Sequence, residues 1–83
     1  MSALETYAKQ AQIVKGTYHL AAIQSLRSYI KLTPTEDLIK YINMITDVDL
    51  LRTLEEAGMR ADAYKALISR MNLLIKEQEE AKK

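Results

Sequence analysis

The stretch that most constrains the fold is residues 33–59, because helix start and stop signals are densest there. Thr33, Pro34 and Glu36 stand where a helix has its N-cap hydroxyl, its first residue and its third residue. This arrangement satisfies backbone N–H groups that have no partner inside the helix. The sequence therefore predicts a helix over residues 34–44.

A second short helix is predicted over residues 47–57. Thr46 is its predicted N-cap, with Asp49 at the third helical position, and Gly58 is the expected left-handed residue at its end. Very little chain separates this helix from the one before it. The pair therefore forms a tight αα-hairpin.

Composition favours an all-α fold. The chain has 83 residues, 48% of them hydrophobic, but it has no Phe, Trp or Cys, and only two Gly and one Pro. No long β-branched run alternates with polar residues, so a sheet is not expected. We predict one small helical bundle with an aliphatic core, in which two longer helices flank the short hairpin.

The two longer segments are residues 3–32 and 60–80. The first, with Ser2 as its predicted N-cap, is expected to be one continuous or gently kinked helix, because an interior glycine costs only about 1 kcal/mol. Gly16, followed by Thr17, is the alternative break point. Unbroken, this helix would be about 45 Å long, whereas a compact domain of this size is roughly 30 Å across. It would overhang its own domain and need a partner.

Apolar residues of the first segment lie on more than one side of the helix, and one of the stripes contains Ile13 and Leu20. A single hairpin packed against this helix would leave some of these residues exposed to water. A core of this size supplies only roughly 3–5 kcal/mol, and oligomerisation is a common supplement. We therefore predict completion by self-association, most simply as a two-fold dimer, or by another protein. The candidate interface residues are Tyr7, Val14, Tyr18, Leu20, Ile23, Ile30, Leu67, Met71 and Leu74.

Tyr7, Tyr18 and Tyr29 recur every 11 residues and would share one face of a continuous helix. They are interpreted as a stripe of interface residues, with each hydroxyl in contact with water at the edge of the interface. The alternative is a nucleic-acid-associated regulator in which the rings stack on single-stranded bases. Spacing favours the interface, because tyrosines about 16 Å apart do not match successive bases. The candidate phosphate contacts of the alternative are Lys15, Arg27 and Lys31.

Other kinds of site find little support in the sequence. His19 has no His, Asp or Glu three or four residues away, so neither a metal site nor a cofactor is predicted. The hairpin has the outline of a DNA-binding helix-turn-helix, but its second helix is acidic, with Arg52 as its one basic residue, and would repel phosphate. The acidic pairs occupy first turns and outer faces, where capping and the helix dipole account for them. An enzyme is not predicted.

The expected location is the cytoplasm. No basic segment followed by an apolar run opens the chain, and the longest uncharged apolar stretch, residues 19–26, is too short to span a bilayer. The net charge of +1 gives no general attraction to nucleic acid or to membranes. We therefore expect a small non-enzymatic interaction module without a membrane partner.

Overall fold

The structure, a computed structural model, describes residues 2–14 and 16–81, which form five α-helices and no strand. The all-α prediction is confirmed. The helices pack into a globule of 40 × 29 × 22 Å. They are α1 (Ala3–Ile13), α2 (Thr17–Leu32), α3 (Thr35–Met44), α4 (Val48–Ala57) and α5 (Ala61–Ala81).

The prediction of one continuous or gently kinked helix over residues 3–32 is wrong. The helix stops after Ile13, where Val14 takes an extended conformation with φ −76° and ψ 127°. Gly16 follows with φ 72° and ψ −142°, a conformation that glycine adopts far more readily than any other residue. The bend lets α1 fold back along α2 and also pack against α4. It therefore removes the overhang that argued for a partner.

The N-terminal caps of α1 and α4 are made by short polar side chains. Ser2 caps α1 as predicted, since its hydroxyl accepts a hydrogen bond from the Glu5 N–H at 3.3 Å. The cap of α4 is Asp47 rather than the predicted Thr46, and its carboxylate accepts from the Asp49 N–H at 2.9 Å. A carboxylate also suits the positive end of the helix dipole, which favours Asp over Thr at this position.

The ends of the α3–α4 hairpin lie within one residue of the predicted bounds. Thr33 does not cap α3, because its hydroxyl donates to the Tyr29 carbonyl at 2.6 Å and so closes α2 instead. Pro34 is the residue that precedes α3. Gly58 ends α4 as predicted, with φ 99° and its N–H donating to the Leu54 carbonyl.

One aliphatic core runs between the helices, and α4 is the element most immersed in it. Three faces of α4 meet neighbours, since it packs against α1, α2 and α5. Burying one leucine fully contributes about 1.5–3 kcal/mol. The buried apolar residues of α4 are Val48, Leu50, Leu51, Leu54 and Ala57.

The C-terminal ends of α1 to α4 are stabilised by the same kind of hydrogen bond. Near each end, a backbone carbonyl accepts a hydrogen bond from a basic side chain that another helix or loop supplies. Carbonyls at a helix C-terminus lack a partner inside the helix and lie at the negative end of its dipole, so basic donors suit them. We call these four side chains the clamp residues. The pairs are His19 Nδ1 with Ala11 O (3.0 Å) and Val14 O (3.1 Å), Arg60 Nη1 with Lys31 O (3.3 Å), Arg70 Nε with Ile45 O (3.0 Å), and Arg27 Nε with Ala57 O (2.7 Å).

Arg27→Met should lower the free energy of unfolding by about 1 kcal/mol, because the Ala57 carbonyl loses its charged donor while the aliphatic stem is kept. Urea unfolding followed by circular dichroism measures this loss. Arg52→Met is the matched control, since it removes an exposed arginine of α4 that makes no such carbonyl bond within the described residues. Equal losses in the two variants would contradict the clamp.

Candidate interaction surface

Burial divides the predicted interface residues into a core group and a surface group. The core group lies inside the chain's own bundle and faces no partner while the fold is intact. Its members are Ile23, Ile30, Leu67 and Leu74. They are covered because α1 folds back and α5 closes over the hairpin.

The remaining predicted interface residues reach the surface to different degrees. Tyr7, Val14 and Met71 are half-buried. Tyr18 and Leu20 are 76% and 64% exposed on the first turns of α2. Only these two present most of their side chains to a partner in the folded chain.

Ile13 is an exposed apolar residue that the predicted interface omitted, although the sequence contains a signal for it. It ends α1 with 76% of its surface exposed, across the bend from Tyr18 and Leu20. Ile13 stands seven residues before Leu20, the spacing of one helical stripe. Ile13, Tyr18 and Leu20 are all exposed and lie within a run of eight residues around the bend, and we call them the hinge patch. Tyr18 and Leu20 stand two residues apart on α2 and so face different sides of that helix.

The three tyrosines do not form one ladder along a helix. Tyr7 of α1 packs against Tyr29 of α2, with ring centroids 5.1 Å apart and planes tilted by 30°. Tyr18 stands exposed near the bend between these helices. The fold-back therefore uses two of the three rings within the chain.

The predicted nucleic-acid contacts are only partly described. Lys15 lies outside the described residues. Arg27 and Lys31 are both exposed and lie one turn apart on α2. However, Nε of Arg27 donates to the Ala57 carbonyl and so holds α2 to the end of α4.

His19 makes its contacts inside the chain. Its Nδ1 donates to the carbonyls of Ala11 and Val14 at the end of α1, which requires the proton to reside on that nitrogen. Its Nε2 lies 3.6 Å from a carboxylate oxygen of Glu56 on α4. The imidazole thus connects three helices at the bend.

A polar junction joins the end of α2 to the beginnings of α3 and α5. Nη2 of Arg60 donates to the Thr35 hydroxyl at 2.7 Å, and that hydroxyl donates to Asp62 at 2.5 Å. Nε of Arg60 lies 3.3 Å from the other carboxylate oxygen of Asp62. The hydrogen bond from Thr35, followed by the charge of Arg60, lowers the pKa of Asp62. The junction is a structural tie between helix ends.

An open cleft of 330 Å³ lies between the start of α4 and the C-terminal half of α5. One of its carboxylates belongs to the cap of α4, since that of Asp47 accepts from the Asp49 N–H. Within residues 2–14 and 16–81, no group of three His, Asp or Glu side chains is placed to hold a metal ion. The cleft is lined by Asp47, Val48, Asp49, Arg52, Ile75, Gln78 and Glu79.

None of the described helices combines the length and the apolar character needed to cross a bilayer. Comparison of the chain with protein-family models, with curated proteins and with solved structures finds no match.

Asp62→Asn should make unfolding less dependent on pH in the acidic range. A carboxyl whose pKa is lower in the folded chain stabilises the fold above its unfolded pKa of about 3.9, and this contribution is lost as the pH falls through the folded value. The stability difference between wild type and variant should therefore be larger at pH 6 than at pH 2.5. Urea unfolding at both values measures it.

Thr35→Val is the companion variant, because it removes the hydrogen bond that contributes most to the shift. Asp62→Asn should have a smaller pH-dependent effect in the Thr35→Val chain than in the wild type. An equal effect in both backgrounds would show that the Thr35 hydroxyl does not lower the pKa of Asp62.

Proposed function

We propose that this chain is a small, non-enzymatic helical interaction module that self-associates, most simply as a two-fold dimer, or joins a larger protein assembly through the hinge patch. The observation that carries the proposal is the position of the exposed apolar side chains. In the described part of the chain, three of the seven large apolar side chains classed as exposed lie within residues 13–20. Such a concentration differs from the isolated exposed side chains of ordinary surfaces.

The chemistry of the hinge patch fits a protein partner. Ile13 and Leu20 gain from removal of their side chains from water, at about 25 cal/mol for each Å² of apolar surface buried. Tyr18 adds a large ring with a polar tip, a combination that is enriched at protein interfaces. Association would also add apolar burial to a core that is small in a chain of this length.

The structure offers an interface variant that leaves the core intact. Leu20→Asp places a charge in the hinge patch, whereas Ile23→Asp would place one in the core, where Ile23 is buried. Asn43→Asp is the matched control, because it adds the same charge to an exposed position of α3, which packs mainly against α5 and lies outside the hinge patch.

Light scattering behind a sizing column, over a range of concentrations, should give the wild type about twice the chain mass of 9.5 kDa. Leu20→Asp should return it to the monomer mass with unchanged helicity, because a carboxylate buried at the interface would lose its hydration. Asn43→Asp should keep the wild-type mass. A wild type that stays monomeric at every concentration, and a Leu20→Asp variant that still associates, would both count against the hinge patch as a self-association surface.

The alternative function is a nucleic-acid-associated regulator that uses the exposed basic side chains of α2. The observation in its favour is that Arg27 and Lys31 lie on neighbouring turns. Binding to single-stranded nucleic acid should then fall steeply with salt and weaken in the double variant Lys15→Gln, Lys31→Gln. Arg27 is left unchanged because its loss would also release the end of α4. Equal binding by the double variant would remove this alternative.

A further inference from the structure

We propose that self-association occurs by exchange of α1. In the dimer, residues 3–32 of each copy form one continuous helix, and its α1 part occupies, on α2 and α4 of the other copy, the place that it occupies in its own chain. This inference rests on the proposed self-association. It names the partner as a second copy of the chain and gives the geometry of the contact.

The acceptor surface for α1 is already complementary to it. The face of α1 that carries Leu4, Ala8 and Ala11 is fully buried, and α1 packs against both α2 and α4. The α1 of a second copy brings identical side chains to this surface. Exchange therefore reproduces the packing of this face of α1 on α2 and α4 without a new recognition surface.

The bend between α1 and α2 is short. Only residues 14–16 separate the helices. Apart from its chain neighbours, a Cβ placed on Gly16 would meet no described atom within 4 Å, so no other helix presses on this position. A short connection held in a glycine conformation is the kind of segment that favours exchange between copies.

Backbone hydrogen bonding also favours the continuous helix. At the bend, the carbonyls of Ala11 and Val14 accept from the His19 side chain, and α2 begins at Gly16, which has no side chain to cap its N–H groups. In a continuous helix those carbonyls accept from the backbone N–H groups of residues 15 and 18, four residues further on. Joining the helices therefore removes one C-terminus and one N-terminus with their unpaired groups.

Two residues of the hinge patch stand differently in the exchanged dimer. In the folded-back chain, Ile13 and Leu20 belong to different helices. In a continuous helix they would lie on one stripe, about 10 Å apart along the axis. That stripe lies opposite the face of Leu4, Ala8 and Ala11, so the exchanged contacts of α1 do not themselves bury Ile13 or Leu20.

The first test uses Gly16→Ala. Alanine strains the φ 72° conformation of the bend and is the better residue inside a helix, so both effects favour the continuous form. The dimerisation constant from light scattering should rise roughly tenfold or more. Ser25→Ala is the matched control, since it raises helix propensity at an exposed position of α2 that is helical in both forms, and it should leave the constant unchanged. A helical, cooperatively folded Gly16→Ala monomer at all concentrations would overturn the exchange.

The second test needs no change at the hinge and decides the matter even where Gly16→Ala does not fold. The chain has no cysteine, and Tyr7 and Tyr29 pack together in the folded-back chain. A chain with Tyr7→Cys and a chain with Tyr29→Cys are refolded together at high concentration and treated with a short bismaleimide cross-linker. Exchange places the two thiols of different chains side by side, so covalent dimers should appear on a denaturing gel. Each variant alone is the control and should stay a single chain.

The outcomes separate the exchange from the broader proposal. A dimer by light scattering that gives no mixed cross-link overturns the exchange and leaves self-association through the hinge patch. Mixed cross-links that require both variants and increase with Gly16→Ala support the exchange. A wild type that is monomeric at every concentration, and gives no mixed cross-link, overturns both.

Discussion

The fold depends on what happens at the ends of its helices. α3 and α4 have 10 residues each and α1 has 11, lengths at which an isolated helix is marginal in water. The C-terminus of each of the first four helices is held by a clamp residue from another part of the chain. Each clamp satisfies a carbonyl and also fixes the position of that end against its neighbour. Tertiary hydrogen bonding thus holds these helix ends in place against their neighbours.

The hydrogen bonds between basic side chains and helix-end carbonyls also change how the basic residues of the sequence are interpreted. The basic residues of α2 suggest a surface for phosphate when they are seen only in sequence. In the fold, Arg27 binds the end of α4, and Arg60 and Arg70 bind carbonyls at the ends of α2 and α3. These arginines are therefore occupied by carbonyls of the chain itself. By contrast, the packing leaves apolar side chains around the bend exposed.

Local signals were enough to predict the hairpin to within one residue, because caps and Gly58 act within one turn of the residues that they affect. The two N-caps were placed one residue too early, at Thr33 and Thr46 instead of Pro34 and Asp47. The clamps could not be predicted, since Arg27 lies 30 residues from Ala57 and Arg70 lies 25 from Ile45. The fold-back of α1 was missed for a related reason. A helical glycine costs little locally, whereas the bend gives α1 a surface on which to bury Leu4. The interface prediction fails at Ile23 for the same reason, because this residue lacks a partner within the chain only if residues 3–32 form one straight helix.

The helix propensity of residues 3–32 and the packing of α1 favour different conformations at the bend. Local propensity favours a continuous helix over residues 3–32, while burial of α1 favours the bend whenever the chain is alone. In the exchange that we propose, a second copy removes this conflict, because α1 is then buried without the bend. Conflict between local preference and global packing marks strained or functional positions. Dilution would favour the folded-back single chain, and concentration would favour the exchanged dimer. The residues around Gly16 are where we expect this balance to be decided.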